Sequence, residues 1–414
     1  MRRFVRKLVF LGAVLCANPL AGREETPLGK LTVTETAGLE RTLAYADFGW
    51  QAPPELLPPA RQVVVRDESS HRLIFLQIYQ QSPSLSDSAQ ISFRGLFPVG
   101  SVNKHEQRFY TLLAVDSGSV PVPQTRLALE GDGLTGQVEN QFYRVALSQK
   151  FGGDSTGNRS GQIRELHLKL GINQLLTNAE DHLHWAPNFH RPELDYYRTI
   201  AAWDPPAQSR TETGPYLIRT EREGPAPFHP EIRLSAVYRF LDGLPYFVFS
   251  SEMAFEEDLA LDLLRNDEMT MDSMFTDLSF ERPDGTVVTV PLAERYDLLK
   301  KAPIENESPW LCFFNRQQGF AFGSIRLQYD IRNRAGHPSP VFAPHTQIGE
   351  WLHGITYWNR RLVHDQLMVI PRGSRYREQN AYLVFRVGPD GSAEAIRAAA
   401  RRLRQPLRIE LSTP

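Results

Sequence analysis

Three stretches of the 414-residue sequence concentrate side chains able to move protons or hold a polar ligand. In the first, His182, His184, His190, Arg191, Tyr197 and Arg198 lie among Trp185, Asn188, Phe189 and Trp203. Aromatic faces with amides, imidazoles and guanidiniums at their edges suit a sugar, which offers apolar C–H faces and a rim of hydroxyls. For a uronate-containing chain, elimination needs three groups: a cation or amide to offset the carboxylate, a base for the C5 proton and an acid for the leaving oxygen. Arg191 or Arg198 fits the first role and Tyr197 the last. His184 or His190 fits the second, because imidazole titrates near neutrality. Trp185 and Asn188 are candidates for sugar contact. His182 and His184 would share a face if they lay on a strand, and with His190 they could hold a divalent metal. Their spacing matches no zinc pattern, so neither a metal nor another cofactor is expected. The competing structural reading is an aromatic-rich loop.

The second stretch runs from His353 to Arg361, with His364 just beyond. On a strand, Tyr357, Asn359 and Arg361 share one face, while Trp358 and Arg360 share the other. Tyr357 and Arg361 are catalytic candidates on the first face, and Trp358, Asn359 and Arg360 are substrate-binding candidates. The third stretch is Asn266 to Asp272. Asp267 and Glu268 are adjacent, so a regular strand turns them to opposite faces. Glycoside hydrolysis needs two carboxyls about 5 to 10 Å apart, so Glu268 would need Asp272 or Glu350 as its partner. Glu268 is otherwise a substrate contact. Neither histidine-rich stretch alone supplies base, acid, cation and aromatic platform, which predicts that both line one groove.

The start of the chain bears on where such chemistry would occur. Arg2, Arg3, Arg6 and Lys7 precede an apolar run from Leu8 to Cys16, and small residues follow at Ala17, Ala21 and Gly22. That layout predicts a cleaved export signal over residues 1–22, too short to span a bilayer, and a periplasmic or extracellular protein. The whole chain has 46 Lys and Arg against 48 Asp and Glu; without the four leading cations, 42 remain and the net charge is −6. A mildly acidic protein lacks the basic surface that a nucleic acid needs. Cleavage would leave Cys312 alone, in the apolar run Trp310 to Phe314, so a buried inert thiol is expected and no internal disulfide.

The elements that must position these residues read as strands. Short runs rich in Val, Ile, Phe, Tyr and Leu recur between Gly, Pro, Asn and Asp clusters, many with the two-residue alternation of a half-buried strand. Residues 258–265 fit a short helix or a strand, and 392–404 fit a helix with Ser392 as its cap and arginines at its end. No Gly-rich phosphate loop joins a strand to a helix. The proline pair at Val120 to Pro123 suggests a boundary, giving an N-terminal β-sandwich over 23–125 and a larger all-β unit over 126–414.

Two segments carry a family resemblance. Val138 to Leu147 (VENQFYRVAL), followed by Ser160 to Leu166, resembles the opening of galactose mutarotase-like supersandwich domains, and Val237 to Tyr246 resembles a later strand of theirs. The region before it, with Gln77 and the strand over 109–113, resembles the small sandwich that often precedes such a domain. The resemblance is to the β-sandwich domains of polysaccharide lyases and α-mannosidase-type glycoside hydrolases. It implies an all-β fold: a small N-terminal β-sandwich, a large supersandwich and a short C-terminal helix. The expected partner is a poly- or oligosaccharide, with β-elimination on a uronate-containing glycan as the first reading of the reaction. A glycoside hydrolase with paired carboxylates and a noncatalytic carbohydrate-binding protein are the alternatives.

Overall fold

A computed structural model describes residues 25–52, 60–83, 90–148, 158–170, 174–176, 182–294, 299, 303–350, 355–388 and 393–412. The expected export signal, residues 1–22, lies outside these, as do Ser392 and His353. The chain is mostly β, as expected, with one short helix, Glu394–Arg404, near its end. Residues 258–265, open between helix and strand in the sequence, belong to the strand Leu259–Met271.

The N-terminal region packs a five-stranded sheet on a three-stranded one. Alternating residues of Thr26–Thr34 and Arg41–Ala52 supply the interior: Leu31, Val33, Ala46 and Phe48 meet Phe97, Tyr110 and Leu112. The sequence division needs one correction. Arg408–Ser412, expected with the larger unit over 126–414, pairs antiparallel with Thr26–Thr34 and so completes the N-terminal sheet.

The larger region encloses one continuous core between a nine-stranded sheet, a six-stranded sheet and a five-stranded sheet. Its opening motif works through Asn140, which is buried. The Asn140 Oδ1 accepts from the backbone of Phe142 and Tyr143 at 2.9 and 3.1 Å, and its Nδ2 donates to the carbonyls of Leu241 and Leu244 at 3.1 and 3.0 Å. One amide thus ties the first strand to the turn at Gly243, whose φ of +71° suits glycine. The VENQFYRV signature is therefore a device of sheet geometry.

The helix lies on the other face of the nine-stranded sheet, where Ile396 and Ala400 pack on Cys312, Phe314, Ala321 and Ala381. A Cβ on Gly323 would fall 2.5 Å from the Ile396 side chain, so only glycine lets the helix sit this close. Cys312 is fully buried there, and burial pushes its thiol well up, as its apolar neighbours imply. Arg41 of the N-terminal sandwich donates to the carbonyl of Arg402 at 2.9 Å, satisfying an end group of the helix.

A second clasp uses Gln77. Its Oε1 accepts from the backbone N–H groups of Tyr216 and Leu217, both at 2.9 Å, while its Nε2 donates to the Leu217 carbonyl at 2.8 Å. Asp47 also accepts from Arg94 and Tyr79 of its own sandwich and from Arg239 of the nine-stranded sheet. Satisfied buried polar groups of this kind fix the contact in one arrangement.

Candidate functional site

The six-stranded sheet runs Arg198–Thr199, Asn188–His190, Leu259–Met271, Thr356–Ile370, His345–Glu350, Ile304–Glu305. Its strands bring members of all three sequence stretches side by side. Register places Asn188 opposite Arg265, Arg265 opposite Arg361, and Arg361 opposite His345. The next row sets Glu268 opposite Asn359, and Asn359 opposite Gln347. Tyr357 lies opposite Gly349, and a Cβ at Gly349 would fall 2.2 Å from the tyrosine ring. Only glycine lets that ring lie across the neighbouring strand.

These side chains occupy the outer face of the sheet, turned away from the core. The alternation that puts Tyr357, Asn359 and Arg361 there, the split of faces that the sequence predicted, sends Trp358 and Arg360 inward. Asn188, Asn359, Glu268 and Arg361 form a nearly closed polar floor, between 0 and 9% exposed, while Trp185, Tyr197, Tyr357, His345 and Gln347 are half-buried around it. Asn188 donates to Glu268, Arg265 stands 3.7 Å from the same carboxylate, and Arg361 Nε donates to Asn359 Oδ1 at 3.0 Å. The Trp185 backbone N–H donates to the Glu268 carbonyl at 3.0 Å. The Tyr197 ring lies against the Arg265 guanidinium at 5.7 Å.

Two arginines and the Glu268 carboxylate set the electrostatics here, with Asp365 also acting on Arg361. Like charges directly across neighbouring strands repel, and Arg265 and Arg361 are such a pair. Burial, with Arg265 as the next contribution, lowers Arg361 to about 10. Burial and the same two arginines lower His364 to about 4, so its ring is neutral. Burial raises Glu268, against the pull of Arg265, Asn188 and Arg361. Among the described residues the Asn188 Oδ1, the Asn359 Nδ2 and the Gln347 Oε1 are buried without a hydrogen-bond partner. Unpaired amide ends beside two opposed guanidiniums carry the donors and acceptors that an anionic, hydroxyl-bearing group would use.

Several expected site residues are elsewhere. His184 is in the core: its Nδ1 meets Tyr238 Oη at 2.6 Å, its Nε2 lies 3.3 Å from Tyr382 Oη, and the Phe249 ring is 4.4 Å away. Burial, then Arg222, holds it well below the ordinary histidine range, so it is a neutral packing residue closed to substrate. Trp358 is likewise buried, donating to Asp267 Oδ1 at 2.9 Å and stacking on Phe313. Arg360 points inward, over the Tyr329 ring at 3.8 Å, and bonds Asn266 Oδ1 at 3.0 Å. These three leave the site because the face they occupy is covered by the nine-stranded sheet. Phe189 and Trp203, offered as platforms, are also core residues.

His190 has both ring nitrogens engaged, with Asp262 at 2.6 Å and the Leu194 carbonyl at 2.9 Å, which takes it out of the base role. Arg191 is paired with Glu231 at 3.2 Å, so it is not an open carboxylate receptor. Arg198 sits beyond the recess, between Tyr196 and Phe228. The His182 ring lies tilted against Trp185, 5.4 Å between centroids, and does not share a face with the buried His184. Among the described residues, no group of three His, Cys, Asp or Glu is placed to hold a metal. Of the carboxyls that could pair with Glu268, Glu350 is exposed at its strand end and Asp272 follows the strand, while Asp267 turns inward.

Sequence reasoning missed Arg265, Gln347 and His345. The signal for Arg265 was its spacing of three from Glu268, decipherable only once a bulge is assumed. Asp267 is that bulge, with φ of +49° and no cross-strand partner, so Asn266 and Asp267 both turn inward and Glu268 then faces out.

The inward side holds a second polar cluster, with no opening to the recess among its hydrogen bonds. Asp267 accepts from Trp358, Tyr382, Tyr329 and Ser324, and its backbone N–H donates to Glu378 at 3.3 Å. Burial, then the Asp267 charge, raises Glu378 to about 8 from an ordinary 4.5. An acid raised on folding stabilises the fold fully below its unfolded value, and that stability is lost as pH climbs through the folded one. The contribution of Glu378 to stability should therefore fall between pH 4.5 and about 8, against the opposite trend from the buried neutral histidines His184 and His364. In a calorimetric pH series the melting temperature of the wild type minus that of Glu378→Gln, which is neutral throughout, should fall across this window; a constant difference would count against the assignment.

No protein-family model matches the sequence, and no curated protein matches it. Solved structures do match in fold. One is a protein in glycosyl hydrolase family 38 from Enterococcus faecalis, 10% identical with a TM-score of 0.57, covering 93% of this chain and 47% of that one. Another is an α-mannosidase from Enterococcus faecalis V583, 10% identical with a TM-score of 0.53, covering 93% and 46%. The chain thus spans about half the length of the structures it resembles. What is shared is the mostly β architecture of these structures over nearly the whole of this chain. At this identity the likeness is one of fold alone.

Proposed function

We propose that the recess on the outer face of the six-stranded sheet binds an acidic, uronate-containing glycan and cleaves it by β-elimination. The observation that carries this is the facing pair Arg265 and Arg361 above two half-satisfied buried amides. A sugar carboxylate would relieve the repulsion of the guanidiniums by bidentate hydrogen bonding, and the amide ends would meet its remaining oxygen and a hydroxyl.

Neutralising that carboxylate acidifies the C5 proton. Tyr357, beside Arg361 and held over Gly349, is the group placed to take it. The proton moves from C5 to the phenolate oxygen, the C4–O bond breaks as the C4–C5 double bond forms, and the same hydroxyl returns its proton to the leaving oxygen. Trp185 gives a sugar face a wall. Glycosidase action, the chemistry named for the similar structures, would instead pair Glu268 with a second carboxyl about 5 to 10 Å away.

The test is a product assay on polyuronates, with carboxyl-reduced versions of the same glycans as controls. Elimination yields an unsaturated uronate that absorbs in the ultraviolet. Reducing ends without that absorbance would turn the reading to hydrolysis, and binding without products would turn it to a noncatalytic binder. Export to the periplasm or beyond is part of the same proposal, since large glycans are met there.

A further inference from the structure

We propose that a cavity between the N-terminal sandwich, the outer face of the nine-stranded sheet and the C-terminal helix is a separate binding site, which takes the chain of a medium-length acyl carboxylate and holds its head at Arg402. The core packed between the nine-stranded and six-stranded sheets separates this cavity from the recess, so neither reading depends on the other.

The cavity has a volume of about 340 Å³. Small-ligand sites run from roughly 300 to 1,000 Å³ and are mostly apolar, with a few polar groups that fix orientation. Leu43 and Leu96 line this one from the sandwich, Val248 and Leu383 from the sheet, and Ala399 and Leu403 from the helix Glu394–Arg404. It lies where three apolar clusters meet without closing on one another. At about 30 Å³ for a group the size of a water or a methylene, it takes a chain of about ten carbons. One such chain fits and two do not. Side chains that face a void forgo dispersion contacts, and the chain would restore them.

The charged groups of the lining select the other end of the ligand. Arg41, Arg239 and Arg402 stand there against one carboxylate, Asp47. Asp47 already accepts from Arg94, Tyr79 and Arg239. Arg41 is committed to Glu35 at 3.2 Å and to the Arg402 carbonyl at 2.9 Å. The Tyr45 hydroxyl donates to the Asp242 carbonyl at 3.0 Å. Burial raises Tyr246 to about 12, against the pull of Arg239 and Arg41, so its ring adds no negative charge. Arg402 differs from the other two arginines. Its side chain is exposed, its Nε donates to the Glu40 carbonyl at 2.8 Å, and among the described residues it has no carboxylate partner. Its terminal N–H groups are left to meet a carboxylate side by side. A cation thus stands where an apolar cavity opens to water, as an amphiphile with an anionic head requires.

The experiment is calorimetric titration of the full chain with hexanoate, octanoate, decanoate and tetradecanoate below their micellar concentrations, and with octanol. Wild type should bind a single molecule per chain. Affinity should rise by up to about fourfold per methylene from hexanoate to decanoate, then level off at tetradecanoate because the cavity is full. Arg402→Gln should weaken octanoate and decanoate about tenfold, equivalent to one charge-assisted contact, and leave octanol within about twofold. Ala399→Leu fills the cavity from the helix and should abolish binding of acid and alcohol alike, without a lower melting temperature. Leu403→Phe narrows the cavity from the same helix and gives the same readout should the first variant fold poorly. Affinity that keeps climbing to tetradecanoate, with several molecules per chain, overturns the site by showing detergent-like adsorption. Undiminished binding in a folded Ala399→Leu or Leu403→Phe protein overturns it by moving the ligand outside the cavity. Octanol bound as tightly as octanoate, or decanoate bound equally by Arg402→Gln, overturns the carboxylate assignment. A wild type that binds none of these ligands overturns the proposal outright.

Discussion

Asp267→Ala should destabilise the protein by about 4 kcal/mol or more, the scale of breaking a buried polar network by removing one partner. Four donors lose their acceptor at once: the Trp358 indole N–H, the hydroxyls of Tyr382 and Tyr329, and Ser324 Oγ. The hydroxyls can turn elsewhere, but the indole is fixed by its stack on Phe313 and cannot. Alanine at φ of +49° adds backbone strain that aspartate and asparagine tolerate better. Asp267→Asn keeps the oxygen facing Trp358 and Tyr382, and the two remaining hydroxyls can accept from its amide, so a loss of about 1 to 2 kcal/mol is expected. Urea denaturation of both variants measures this directly. A cost below about 1 kcal/mol for the alanine variant would show that the cluster holds little of the core together. Because Asp267 faces inward, the asparagine variant should bind glycan as the wild type does.

The same bulge explains what could and could not be read from the sequence. Alternation identified most strands, and it sorted Tyr357, Asn359 and Arg361 from Trp358 and Arg360 correctly, since that end of the strand is regular. It placed Asp267 and Glu268 on opposite faces, as they are, but could not put Arg265 beside Glu268, because one inserted residue changes the face of everything before it and nothing in the composition marks the insertion. It failed again at His182 and His184. That segment makes a single bridge to the sheet, between His184 and Met269, and is not a strand, so a two-residue period does not apply.

Face assignment also decides which aromatics are platforms. Trp185 and Trp358 look alike in sequence, yet the first turns outward past Glu268 while the second is covered by the nine-stranded sheet. Pairings distant in sequence were beyond reach for a similar reason. Arg408–Ser412 is recognisable as a strand, but its place beside Thr26–Thr34 depends on where the helix delivers the chain. The meeting of the histidine-rich and tyrosine-rich stretches was inferred from chemical need, and the sheet brings Asn188, Glu268, Asn359 and Arg361 together in register. Arg265, the residue that gives the meeting its charge, was hidden in a segment whose secondary structure was ambiguous.

Tyr357→Phe should lower turnover of a polyuronate by about 1,000-fold, within the range that general acid–base groups contribute, while leaving affinity for the glycan nearly unchanged. The separation follows from geometry. The variant keeps the ring that lies over Gly349 and removes only the hydroxyl proposed to carry the proton, whereas the carboxylate is held by Arg265 and Arg361. Arg361→Gln should show the complementary pattern: weaker binding, a smaller fall in saturated rate, and less sensitivity of binding to salt, since one cation is lost. Gly349→Ala supplies a third arm. Its Cβ would stand 2.2 Å from the tyrosine ring, so the ring must move, and the rate should fall although every proposed catalytic group is present. Circular dichroism and melting temperature check that each variant is folded. A Tyr357→Phe protein that turns over polyuronate at the wild-type rate would remove tyrosine from the chemistry, and one that loses affinity in step with rate would reassign it to binding.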